Sequence, residues 1–143
     1  MKTNKLLPFK IILMLLAMLT SFACSKKLTD ALAGNETKQL SSYQSILDTY
    51  SAKIKAATPE LIEEYKKEAS RNTDGTIGLA KISNDKITKL AKISGEGVKE
   101  MAKIMQGTGS GKYSEYEVWA GKLMEVYMSE SGKITDVYMK SAM

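Results

Sequence analysis

Chemistry in this 143-residue chain must be built from carboxylates, lysines, tyrosines, hydroxyls and one thiol, because it holds no histidine and a single cysteine. Histidine is the usual general base near neutral pH, the commonest metal ligand and the usual pH switch. One cysteine makes neither an internal disulfide nor a thiolate cage for a metal. Carboxylates do recur at helical spacing: Glu60 with Glu64, and Glu96 with Glu100. Residues four apart share a helix face, so such pairs could bind a cation or divide acid and base roles. Lys92, Lys99 and Lys103 are interleaved with the second pair, however, and a solvated face of mixed charge is the better reading. The run GTGSGK at 107–112 has the glycines of a phosphate loop without its frame. That loop needs glycine where Gln106 stands and serine or threonine where Tyr113 stands, so a linker over 106–112 is expected. The dinucleotide pattern fails at Lys112, and no nucleophile elbow is present. No catalytic residue, metal site or cofactor is expected, and the chain does not read as an enzyme.

The thiol sits at a revealing place. Residues 1–10, MKTNKLLPFK, carry three lysines and no acid; residues 11–19, IILMLLAML, are uncharged and apolar; TSFAC follows, with Ala23 before Cys24. A basic start, an apolar run of ~7–15 residues and a small residue at the border describe a secretory signal. The run is shorter than the ~20 residues of a comfortable membrane span. An uncleaved anchor over 6–23 is the alternative, and for Cys24 the plain alternative is an inert buried thiol.

LTSFAC followed by SKK resembles the lipobox of bacterial lipoprotein precursors. Ala23 matches the small residue before the cut, while Ser21 stands where the tightest pattern has leucine. The resemblance covers residues 1–26 only. It implies cleavage before Cys24, lipid on the Cys24 sulfur and new amino group, and a membrane-anchored product. By the same resemblance, Ser25 implies outer-membrane sorting in a Gram-negative cell. Physically, two or three acyl chains make a durable anchor where one holds only marginally.

Cleavage there would also change the charge. Lys2, Lys5 and Lys10 precede Cys24, so the formal +5 falls to about +2, with 18 basic against 16 acidic residues. That excess is too small to indicate nucleic acid.

Two further groups are candidates for binding. Leu79-Ala-Lys-Ile returns at Leu90 and, as Met-Ala-Lys-Ile, at Met101, a step of eleven. Lys81, Lys92 and Lys103 follow that step with Lys89 and Lys99 nearby, a strip that could meet anionic membrane or polymer. Met101/Met105, Met124/Met128 and Met139/Met143 are each four apart. Methionine fills cores and also lines adaptable grooves, so Met101, Met105, Met124 and Met128 form a candidate partner groove.

These residues need elements to place them. Leu40, Tyr43, Leu47, Tyr50, Ile54 and Ala57 alternate steps of three and four, which predicts a helix with one apolar seam. Thr58-Pro59-Glu60 reads as a fresh helix start, with Leu61, Ile62, Tyr65 and Ala69 beyond it. RNTDG at 71–75 is a turn. A helix over 76–105 puts Leu79, Ile82, Ile87, Leu90, Ile93, Val98, Met101, Ile104 and Met105 in one arc. Eleven residues make nearly three turns, so the repeat keeps its face. Gly95 and Gly97 should weaken this helix, and Lys86 falls inside its arc. Ser114 and Glu117 form a capping box opening a last helix, with Tyr116, Trp119, Ala120, Leu123, Tyr127, Ile134 and Tyr138 as its seam and Gly132 as a breaker.

The expected protein is all-α: an antiparallel bundle of three long helical arms, one split near Pro59. Its organisation is signal 1–23, lipidated cysteine and tether 24–37, and helical domain 38–143. The expected role is that of a lipid-anchored envelope protein, structural or partner-binding. The alternative is a surface-active protein lying on anionic membrane through helix 76–105.

Overall fold

The computed structural model describes residues 22–107 and 112–143, with side chains from Lys38 onward apart from Ser41. Three helices make up the described chain: α1, Phe22–Ala69; α2, Gly75–Gly107; α3, Tyr113–Ala142. No strand occurs among the described residues. The expected all-α bundle is therefore present. The chain divides into two compact units, Met1–Lys38 and Gln39–Met143. In the first, the described residues belong to α1, so the stretch 24–37 expected as a tether is helical. The second is the three-helix bundle.

The bundle core is Tyr43, Ile54 and Leu61 from α1, Leu90 and Met101 from α2, and Leu123 and Ile134 from α3. Tyrosine, leucine, isoleucine and methionine fill this core. Tyr43 of α1 stacks on Trp119 of α3, centroids 6.4 Å apart.

The eleven-residue step extends beyond α2. In α1 it relates buried Tyr43, Ile54 and Tyr65; in α3 it relates buried Leu123 to Ile134. All three helices thus repeat at nearly 3.67 residues per turn, a period that gives straight or slightly right-handed packing. One shared period lets each seam face the other two along its whole length.

Two local expectations are corrected. Helix α1 runs through Pro59 without a break. The Thr58 hydroxyl donates back to the Ile54 carbonyl, 2.8 Å away, instead of capping forward. Proline removes one N–H at a cost of ~3 kcal/mol. Ile54, Thr58, Leu61 and Tyr65 are buried on both sides of it, and that continuous seam outweighs the local break signal. The Ser114 capping box is also absent. Helix α3 starts at Tyr113 with Lys112 as an extended N-cap that makes no side-chain cap bond. The Lys112 carbonyl accepts from the Glu115 and Tyr116 amides, which pulls the start forward. The expected linker 106–112 has its first two residues in α2; its segment 108–111 lies outside the described residues.

The glycines expected to weaken α2, and Gly132 in α3, interrupt neither helix. Gly97 is a crossing point. A Cβ there would lie 2.6 Å from Leu123 Cδ2 and 2.8 Å from Tyr50 Cγ, so α1 and α3 both approach α2 at this level. The turn before α2 uses Asn72, whose side-chain oxygen accepts from the Asp74 amide and whose amide donates to the Gly75 carbonyl. Gly75 has φ +61°, a left-handed conformation glycine adopts freely.

Candidate functional site

The ionic centre of the bundle lies between α1 and α2, next to that turn. Helical spacing puts Glu64 and Glu68 on one face of α1. The turn folds α2 back antiparallel; Lys86 and Lys89 start further from it than Glu68 and Glu64, and their long stems lean back toward the N-terminus of α2 to reach them. Lys86 Nζ donates to Glu68 Oε1 at 2.5 Å and lies 3.1 Å from Glu64 Oε2. Lys89 Nζ donates to Glu64 Oε2 at 2.6 Å. Lys86 is 3% exposed, while both carboxylates are about half exposed. The cluster thus seals a buried ammonium with a wet rim.

Its electrostatics follow from that geometry. Hydrogen bonds from Lys89 and then Lys86 hold the Glu64 carboxyl below its ordinary pKa. Burial opposes the Lys86 charge, yet the hydrogen bonds to Glu68 and Glu64 outweigh it and hold the ammonium above its ordinary pKa. A lysine kept charged in this way is a poor nucleophile, the reverse of the depressed lysine that Schiff-base chemistry needs. The arrangement can fasten α1 to α2.

Sequence reasoning placed Lys86 inside the apolar arc and Glu64 on a solvated face, and it missed their partnership. The available signal was an acidic face shortly before a tight turn, Glu64 and Glu68, and two lysines after it, Lys86 and Lys89, within reach of long side chains across an antiparallel hairpin. Of the other expected carboxylates, Glu60 and Glu96 are exposed, and Glu100 pairs with Lys103 at 2.6 Å. That pairing holds the Lys103 ammonium above its ordinary pKa.

The lysine strip is split by these pairs. Lys89 and Lys103 are engaged by Glu64 and Glu100. Lys81, Lys92 and Lys99 are exposed on α2 and make no ion pair among the described residues. The methionines do not share one surface. Met101 is fully buried in the core, Met105 is half-buried, and Met124 and Met128 are exposed on α3. Met124 joins Tyr127, Ala91, Ser94, Gly95 and Val98 around a shallow depression of 200 Å³ between α2 and α3. The hydroxyls of Ser94 and Tyr65 are buried without a hydrogen-bond partner among the described residues.

Cys24 falls in the first turn of α1, and its side chain lies outside those described. The basic and apolar segments before it, 1–10 and 11–19, also lie outside the described residues. Among the described residues no helix is long and apolar enough to cross a membrane. Nor do three acidic, histidine or cysteine side chains among them gather as a metal site would require. No protein-family model matches the chain, and no curated protein or solved structure is similar to it.

Proposed function

We propose that the chain is a bacterial cell-envelope lipoprotein, held to the membrane by lipid on Cys24, whose bundle has a non-catalytic structural or partner-binding role. In a Gram-negative cell its place is the outer membrane. The observation that carries this reading is the position of the lone cysteine, directly after a basic segment, an apolar run and a small residue. The bundle supports the second half. Its apolar seams face one another, and the one ammonium buried among the described residues, that of Lys86, is neutralised by two carboxylates. Intact mass spectrometry of the native protein tests the anchor. The expected mass is that of a polypeptide starting at residue 24 plus acyl chains, and Cys24→Ser should lose both the added mass and metabolic palmitate label. Bare polypeptide mass, or release of the native protein into culture fluid, overturns the reading.

A second reading draws on Lys81, Lys92 and Lys99, exposed and without ion pairs among the described residues. Here α2 rests on an anionic membrane or polymer, at ~1 kcal/mol per lysine near the surface. Co-sedimentation with anionic vesicles that falls with salt supports it; equal recovery with neutral vesicles ends it.

A further inference from the structure

After Cys24 the sequence offers three methionine pairs four residues apart, and the bundle treats them differently. Met101 is fully buried in the core, so its sulfur is out of reach. Met143 is the C-cap of α3, past the last helical residue, so the helix does not hold it against Met139. Met124 and Met128 both lie within α3 and are 47% and 62% exposed. Beyond Val118, every exposed large apolar side chain of α3 is a methionine. Leucine would supply similar volume and equal helix propensity. What this surface presents in particular is therefore sulfur.

The surroundings leave the pair free to move and give it no net charge. Met124 borders the shallow depression whose α2 wall includes Ala91, Gly95 and Val98, and a Cβ on Gly95 would meet nothing within 4 Å. The Met124 side chain thus has room to turn toward Met128. Lys122 and Glu125 are the exposed charges beside the pair on α3; Lys92 and Glu96, next in sequence to Ala91 and Gly95, are those on α2. Ammoniums and carboxylates balance, so nothing here gathers a hard cation by charge.

We propose that Met124 and Met128 chelate one soft monovalent cation, copper(I) or silver(I), through their two thioether sulfurs. Thioethers are soft, uncharged donors that suit such ions, whereas magnesium and calcium require oxygen. The helix sets the geometry. Residues four apart have Cβ atoms ~5–6 Å from each other. Two sulfurs on one ion, each at a metal–sulfur length of ~2.3 Å, stand at most about 4.6 Å apart. The three rotatable bonds of each methionine close the difference. A thioether donates its lone pair without first losing a proton. Binding therefore persists in mild acid, where imidazole sites lose their metal. The absence of histidine and of a second cysteine leaves this chemistry untouched. The site uses α3 alone and needs no lipid.

Native protein carrying methyl-labelled methionine, in non-ionic detergent and chloride-free buffer, is titrated with silver nitrate and, without oxygen, with copper(I). For either ion the Met124 and Met128 methyl resonances should shift together and saturate at one ion per chain, with Met101 unmoved. Zinc and magnesium should move neither. The silver affinity should be the same at about pH 7 and about pH 5. Met124→Leu and Met128→Leu keep the apolar volume; each should weaken silver binding at least about tenfold, the loss that even indirect changes around a metal bring, with helicity unchanged. Cys24 is the other soft donor, and Cys24→Ser should leave the titration as it was. No shift at either methyl with either ion, filling first at Met139 and Met143 or at Cys24, an equal response to zinc, or indifference to both leucine replacements would each overturn the proposal.

Discussion

Leu123 reaches the backbone of α2 only because position 97 is glycine. A Cβ on Gly97 would lie 2.6 Å from Leu123 Cδ2 and 3.0 Å from Tyr50 Cβ. The second contact is with an atom fixed to its own backbone, so the strain cannot be relieved by one rotamer. Gly97→Ala should therefore cost about 1–2 kcal/mol net, the overpacking exceeding the ~1 kcal/mol gained in helix propensity. Gly95, two residues away, has nothing within 4 Å of its missing Cβ. Gly95→Ala should stabilise by about 0.5–1 kcal/mol. Urea unfolding of both variants checks the contrast, and equal effects would show that no helix crossing depends on position 97.

Pro59 should be replaceable with profit to stability. It is exposed inside α1 and cannot donate to the Lys55 carbonyl one turn earlier. Pro59→Ala restores that bond and should raise stability by about 1–2 kcal/mol, after allowing for the freer unfolded chain. Loss of stability in thermal unfolding would mean that α1 needs a bend there.

The Lys86 cluster should be asymmetric to mutation. Lys86→Met keeps the packing of the stem and removes a buried charge, so stability should stay within about 1 kcal/mol of the parent. Glu64→Gln with Glu68→Gln leaves the buried ammonium without a countercharge and should destabilise more than Lys86→Met does. Adding Lys86→Met to that pair should recover most of the loss. A triple variant as unstable as the double would locate the damage elsewhere.

The pH profile follows from the same cluster. The Glu64 carboxyl is lowered from its ordinary 4.5 by its hydrogen bonds to Lys89 and Lys86. Stabilisation from it is present above that value and is lost as pH falls through the lowered folded pKa. The Lys86 ammonium is held above its ordinary 10.5, burial being outweighed by Glu68 and Glu64. Its contribution is present below that value and is lost as pH rises through the raised folded pKa. Chemical unfolding across pH should show a plateau with losses at both ends. Glu64→Gln should shrink the acid loss and Lys86→Met the alkaline one; profiles unchanged by either would refute the assignment.

Much of this was legible from residue order. Tyr43, Ile54, Leu90, Leu123 and Ile134 announce their burial through steps of three and four, because a helix turns every 3.6 residues and apolar side chains must leave water together. The turn at 71–75 is an equally local signal, written in adjacent residues. What only the tertiary structure decided are matters of opposition between helices. Pro59 carries a strong local break signal, yet the seam on either side of it is buried in one continuous helix. Lys86 reads as a misplaced charge until Glu64 and Glu68 stand across from it. Gly97 reads as a weak point until Tyr50 and Leu123 close on it. Local order sets which face of each helix is apolar; which residue lies opposite depends on antiparallel register across 18 or more positions, and no neighbouring residue encodes that distance.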